Sequence, residues 1–354
     1  MKSKTLKDEI RFLAVGAAGS NVVQILEKRK GYKAFYVNLA KQDLDLINSP
    51  NKLHIKNGEG ASKNRDKAKE VLSESIDEVL ETLEQQITEK YVFVVYSLGG
   101  GSGSGTGTFI GSVLAENPDK KVGLVVILPS MKESLQARIN AYEALAEIVQ
   151  CKNNLGSIFI LDNNTREDKM SINRTFATLF DSFVNIEGSS SIRGVLDIAE
   201  QKTLFETSGV SMIHCVGQDG QSDLLTIIKE GIYAPLEPNK KVKYIGLSQP
   251  DKKDAIDIDS VIDVVGNPID TYLGYGNQNE TVLYLAGLSF PKTYINNLAE
   301  SIKSEQERAQ KIMEDDDISM DCNINFLAKK SVEKKEPVEK KSMRDRLLAS
   351  KNKK

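Results

Sequence analysis

Apolar residues along the first half of the chain alternate between short unbroken runs and stretches with helical spacing, the pattern of repeated βαβ units. Residues 12–15, 34–37, 91–98, 122–128 and 157–161 read as buried strands. Between them 21–30, 109–116 and 133–149 read as helices, the first stopped by Gly31. Ala68, Leu72, Ile76, Val79, Leu80, Leu83 and Ile87 keep one face apolar and predict a single long amphipathic helix. Together these elements predict a mostly parallel sheet with helices on both faces and a ligand at the carboxyl edge of its strands. Residues 169–187 spread Ile172, Phe176, Leu179, Phe180, Phe183 and Val184 over a wide apolar face, which predicts a buried central spine helix. Strands near 210–216, 242–247, 271–275 and 281–288, with helices near 223–232 and 258–265, predict a smaller second α/β unit. Pro291 opens a long polar helix, and the charged remainder is too poor in aromatics to bury a core. The expected division is 1–168, a spine over 169–188, a second domain over 189–290, a C-terminal helix over 291–315 and a disordered tail over 316–354.

The most informative chemistry lies between the strand at 91–98 and the helix that follows, in Gly99-Gly100-Gly101-Ser102-Gly103-Ser104-Gly105-Thr106-Gly107-Thr108. Glycines allow backbone N–H groups to converge on an anion, Ser102, Ser104 and Thr106 add hydroxyls, and the next helix offers its positive end. A triphosphate suits such a cradle, whereas a flexible linker would seldom join a buried strand directly to an amphipathic helix. The chain has no G-x-x-x-x-G-K-[ST] string, which argues against a P-loop NTPase. Gly16-Ala17-Ala18-Gly19-Ser20-Asn21 follows the first strand and could serve a dinucleotide, but Asn38 stands where that fold places an acid for the ribose.

Charge separates along the chain. The formal net charge is −3, yet 329–354 holds 11 Lys and Arg against 4 acids, a local +7 that leaves −10 on the remainder. Such a tail is expected to have its own partner, with 342–348 able to form a short basic amphipathic helix on binding. Cys151, Cys215 and Cys322 show no metal-ligand spacing and fit a reducing cytosol. No apolar stretch is long enough to span a bilayer and the first nine residues are too charged for a secretory signal, so the expected location is cytoplasmic.

Residues 99–105 match the G-G-G-[ST]-G-[ST]-G signature, and the chain from Phe12 to Leu288 resembles the tubulin and FtsZ superfamily in order. That resemblance implies a Rossmann-like GTP-binding domain, a spine helix and a smaller α/β domain, with GTP or GDP and Mg²⁺ as ligands. It implies that Gly16 and 17–21 form the first phosphate loop, that Asn38 ends the second, and that Gly60, Ala61 and Ser62 sense the γ-phosphate. The glycine run would hold the phosphates, Glu133 the ribose, and Asn163 with Asn173 or Arg174 the guanine. Taken alone, Asn21 could also cap its helix, Glu133 could be a first-turn acid, and Asn163 could be a polar turn.

Asp197 and Glu200 resemble the superfamily's two catalytic acids, and D-x-x-E before an apolar run is equally a helix capping box. About 20 Å of spine helix would separate these acids from the guanine end, so as catalysts they would serve a neighbouring copy in a head-to-tail filament. Val195 and Ala40 replace residues usual in bacterial division proteins, and the divergence resembles the branch that plasmids and phages use to partition DNA. Its tails engage a DNA-binding adaptor, so DNA would be met indirectly and no membrane is expected. An FtsZ-type division role is the alternative, supported by a peptide-like segment at 324–330.

Overall fold

The computed structural model describes residues 5–186, 194–217, 221–251 and 256–315; the tail, with its segments at 324–330 and 342–348, lies outside the described residues. The amino-terminal half runs β1 (Ile10–Val15), α1 (Gly16–Lys30), β2 (Lys33–Asn38), α2 (Lys41–Asp45), β3 (Lys52–His54), α3 (Arg65–Glu74), α4 (Ile76–Gln86) and β4 (Tyr91–Ser97). It continues with α5 (Ser102–Leu114), β5 (Lys121–Leu128), α6 (Leu135–Cys151), β6 (Ser157–Asp162) and α7 (Lys169–Val184). The remainder is α8 (Ile198–Glu206), β7 (Gly209–Gly217), α9 (Gln221–Glu230), β8 (Tyr244–Pro250), α10 (Ile258–Val265), β9 (Asp270–Gly276), β10 (Glu280–Leu288) and α11 (Lys292–Asp315).

All ten described strands share one sheet in the order β3-β2-β1-β4-β5-β6-β7-β10-β8-β9. The first six are parallel, as βαβ crossovers require. β10 pairs antiparallel with β7 and β8. The two halves join through a short parallel ladder, Ser157 with Gly209 and Ile158 with Val210. The predicted second unit is therefore an extension of the first sheet.

α7 forms against the sheet because its apolar positions are aromatic and recur at helical spacing. Phe180 meets Phe12 and Phe93 at ring-centroid distances of 5.0 Å and stacks on Phe205 at 5.4 Å, while Phe183 lies 4.4 Å from Tyr284. This cluster joins β1, β4, β10, α8 and the spine into one core.

Several elements differ from expectation: α2 and β3 are not among the predicted elements, and α1 starts at Gly16, five residues early. The long helix breaks at Ser75 (φ −123°, ψ 19°), so α3 and α4 are separate although Leu72 and Ile76 are both buried. Apolar periodicity reports which side is buried and is blind to a one-residue break. The helix after the glycine run starts at Ser102, seven residues earlier than predicted, inside the run itself.

Candidate functional site

Strand order reverses between β1 and β4, so the loops that follow these strands open a crevice at the carboxyl edge of the sheet. α1 and α5 begin there side by side: a Cβ on Gly16 would lie 3.1 Å from the Gly103 nitrogen, and Gly16 itself takes φ +75°. Neither helix has a side-chain cap, whereas α3, α6, α7, α8 and α10 are capped by Asn64, Ser134, Asp168, Asp197 and Asp257. Uncapped first-turn N–H groups from two helices thus face one crevice, which is a site for an anion. A Cβ on Gly100 would meet nothing within 4 Å, leaving room for a ligand to approach the backbone there.

The rest of the run packs against protein. A Cβ on Gly103 would meet the Val15 carbonyl at 2.9 Å, one on Gly105 would meet Ala68 and the Arg65 carbonyl at 2.8 Å, and one on Gly107 would strike the Tyr96 ring at 2.6 Å. The Ser104 hydroxyl donates to the Gly100 carbonyl and the Thr106 hydroxyl to the Ser102 carbonyl at 2.8 Å. These hydroxyls, expected as donors to a ligand, are held by their own helix; Gly100 and Ser102 stand at the mouth, while Gly101 is buried against Ala61, Lys63 and Asn64 of the third loop.

Around that mouth the other predicted residues take these places. Ala17 is exposed, Ala18 half-buried, and Gly19 is pressed onto the Val95 carbonyl. The Ser20 hydroxyl donates to the Gly16 carbonyl at 2.9 Å, and Asn21 lies exposed inside α1, so it is no N-cap. Asn38 is buried, donating to Asp43 at 3.0 Å and accepting from the Ala40 N–H at 3.2 Å, which shapes the second loop. Gly60 (φ +100°) and Ser62 (φ +44°) fold the third loop so that Ala61 lies against Gly101.

Glu133 precedes the α6 cap instead of standing in its first turn; its carboxylate accepts from the Ser130 N–H at 3.1 Å and from Lys169 at 2.7 Å. Asn164, not Asn163, builds the turn after β6, accepting from the Met131 N–H at 2.8 Å and donating to Asp162 at 2.6 Å and to the Tyr294 hydroxyl at 3.2 Å. Burial raises the Asp162 pKa against those bonds from Asn164. The half-buried Asn163 side chain makes no hydrogen bond among the described residues. Asn173 is buried on α7 with its amide 3.7 Å from the Met170 sulfur, while exposed Arg174 pairs with Asp168 at 2.6 Å.

The two acids lie elsewhere. The Asp197 carboxylate accepts from the Glu200 N–H at 2.8 Å and the Glu200 carboxylate accepts from the Asp197 N–H at 3.0 Å, a complete capping box. Each spends one oxygen in the box, so capping and a second role are compatible. Partial burial, with the nearby charges of Asp197 and Asp270, raises the Glu200 pKa over the opposing N–H bond from Asp197. Gln201 donates to the Phe183 carbonyl at 2.7 Å and pins α8 to the last turn of α7. Asn173 stands ten residues earlier on α7, about 15 Å along the axis. The crevice and the acids therefore sit at opposite ends of the spine.

Sequence reading missed two buried polar residues behind the glycine run. Arg65 reaches the Ser104 carbonyl at 3.0 Å and pairs with Glu143 at 2.9 Å and Glu147 at 2.6 Å. Asn140 donates to the carbonyls of Lys63, Gly99 and Gly100. Asn140 could have been found, because it interrupts the apolar stripe of Ala137, Ala141, Ala144 and Ile148 on α6.

Among the described residues no three His, Cys, Asp or Glu side chains gather as a metal site. Among those residues no helix is long and apolar enough to cross a membrane.

Comparison with known proteins agrees with this fold. Residues 9–169 match the Tubulin/FtsZ family GTPase domain. The chain is 30% identical over 319 residues to the tubulin-like protein TubZ of Clostridium botulinum C phage, covering 87% of this chain and 86% of that protein. The crystal structure of Clostridium botulinum phage c-st TubZ superposes with a TM-score of 0.76 at 28% identity, over 86% of this chain and all of that one. The GDP-form protofilaments of Bacillus thuringiensis serovar israelensis TubZ give 0.73 over 88% of this chain and 95% of that one, and at 15% identity show likeness of fold alone.

Proposed function

This chain belongs to the tubulin/FtsZ family, on its TubZ side, and we propose that it stacks head to tail in a filament and cleaves GTP where two copies meet. One observation carries the reading: the anion crevice and the two acids occupy opposite ends of α7. A subunit's Asp197 and Glu200 then act on the nucleotide of the copy stacked against them. Such a contact joins two different surfaces and repeats without closing.

In this reading the N–H groups at the starts of α1 and α5 hold the phosphate oxygens, with the loop 60–62 at the terminal phosphate and Glu133, Asn163 and Asn173 toward the nucleoside. Glu200, assisted by Asp197, orients water for in-line attack on the γ-phosphorus, giving GDP and phosphate. Magnesium, bound through the nucleotide's phosphates, would neutralise their charge. The segments 1–168 and 189–290 then act as binding and activating halves on either side of the spine.

Scattering and phosphate release measured together across protein concentration test the reading: turnover rises more steeply than concentration and follows polymer. Turnover strictly proportional to concentration, with no polymer, overturns it. The basic tail at 316–354 is proposed to hold a DNA-binding adaptor in the cytoplasm, so that filaments move plasmid or phage DNA. In the same assays a chain ending at Asp315 still assembles but no longer co-sediments with an adaptor-DNA complex; a membrane-tethered partner captured instead favours a division role.

A further inference from the structure

We infer that Asn140 is a positioning residue that turns two backbone N–H groups of the glycine run toward the phosphates. The inference rests on the nucleotide reading above and concerns how this chain grips its ligand.

Asn140 is 1% exposed, behind the run on α6. Its Nδ2 has two hydrogens for three acceptors, so one hydrogen is shared: it reaches the carbonyls of Lys63 at 2.8 Å, Gly100 at 3.1 Å and Gly99 at 3.3 Å. Gln136 donates to Asn140 Oδ1 at 2.9 Å, which fixes the amide with its NH₂ toward those carbonyls. In a trans peptide the C=O and the following N–H point in opposite directions. Holding the Gly99 and Gly100 carbonyls on the α6 side therefore aims the N–H groups of Gly100 and Gly101 away from α6, and the Ser104 hydroxyl adds to the hold on Gly100.

Two further observations support a ligand against these peptides. Neither the Gly100 nor the Gly101 N–H has an acceptor among the described residues, although Gly101 is buried. A buried donor without an acceptor is uncommon in a folded protein unless a ligand or water supplies one. The side of Gly100 where a Cβ would stand is open, with nothing within 4 Å. Glycine alone would let these peptides rotate; Asn140 removes that freedom before any ligand arrives. The third bond, to Lys63, ties down the loop in which Ser62 and Lys63 take positive φ of 44° and 62°. One side-chain amide thereby sets both the phosphate-facing peptides and the loop folded over them.

The test uses the full chain and fluorescent GTP and GDP. Asn140→Leu keeps roughly the size of the side chain and removes the donor, and Asn140→Asp keeps its shape and leaves at most one O–H donor. Each is expected to bind GTP at least tenfold more weakly while thermal unfolding without nucleotide moves by only a few degrees. Hydrogen exchange of the backbone at 99–101 is expected to slow on GTP binding in the wild type and not in the variants. A merely structural role would lower the unfolding temperature and leave the affinity of the folded fraction unchanged. Affinity within twofold of wild type in both variants overturns the inference. Should both fail to fold, Gln136→Leu, at an exposed position, decides: GTP binding weakened about threefold or more supports the inference and unchanged binding overturns it. Failure of the wild-type chain to bind GTP would instead sink the nucleotide reading.

Discussion

His214 stands on β7 with its ring edge-on to Tyr233, 5.6 Å between centroids, and among the described residues neither ring nitrogen has a hydrogen-bond partner. Burial holds its pKa down to about 3, so the folded protein keeps the ring neutral across the ordinary pH range. The unfolded chain takes up a proton below the usual value of about 6.5, and between there and the folded pKa it binds more protons than the native state. Stability therefore falls as pH drops through that window, by about 1.4 kcal/mol per pH unit. Urea unfolding at pH 7 and pH 5.5 should show the loss, and His214→Phe should flatten it, since the raised Asp162 and Glu200 carboxyls are common to both chains and cancel in the comparison. An equal slope in the variant would assign the effect elsewhere.

The glycine run shows how one composition serves two purposes within an element. Gly107→Ala gains about 1 kcal/mol in helix propensity but forces a methyl into the Tyr96 ring, which is buried and held by Thr108 at 2.8 Å. Overpacking costs about 1–3 kcal/mol, so the net change is a loss of up to about 2. Gly100→Ala has free space and should keep its unfolding temperature while weakening GTP binding, because the methyl enters the ligand's side. Calorimetry and nucleotide titration on the two variants separate packing glycines from binding ones. That distinction was illegible in sequence: the order of the main strands and helices, the spine and the glycine-rich mouth follow from local apolar periodicity and turn chemistry and were readable, whereas the short α2 and β3 were not. What Gly103, Gly105 and Gly107 touch depends on Val15, Arg65 and Tyr96, brought in by tertiary packing. The early start of α5 and the break at Ser75 escaped for the same reason, as did Arg65, whose carboxylate partners lie on another helix.

Across the whole molecule, one sheet and one spine fix the crevice and the acids at a set separation, and no hinge within a subunit needs to bring them together. α11 folds back on α6, where Arg138 reaches Ser301 at 3.1 Å and pairs with Glu305, so the segment that leads into the tail is anchored on the helix behind the glycine run. If cleavage needs the crevice of one copy and the acids of the next, two defective chains should repair each other. Gly100→Val fills the open side of the mouth and cannot hold nucleotide but keeps its acids; Glu200→Ala holds nucleotide but lacks the water-orienting acid while Asp197 still caps α8. Alone, each should be nearly inactive. Mixed in equal amounts and stacked at random, roughly a quarter of contacts place a Glu200→Ala nucleotide against intact Gly100→Val acids, which sets the ceiling on recovered turnover. Recovery should vanish on dilution below the assembly threshold. A mixture that assembles yet stays as inactive as its parts would place both halves of the reaction within a single subunit.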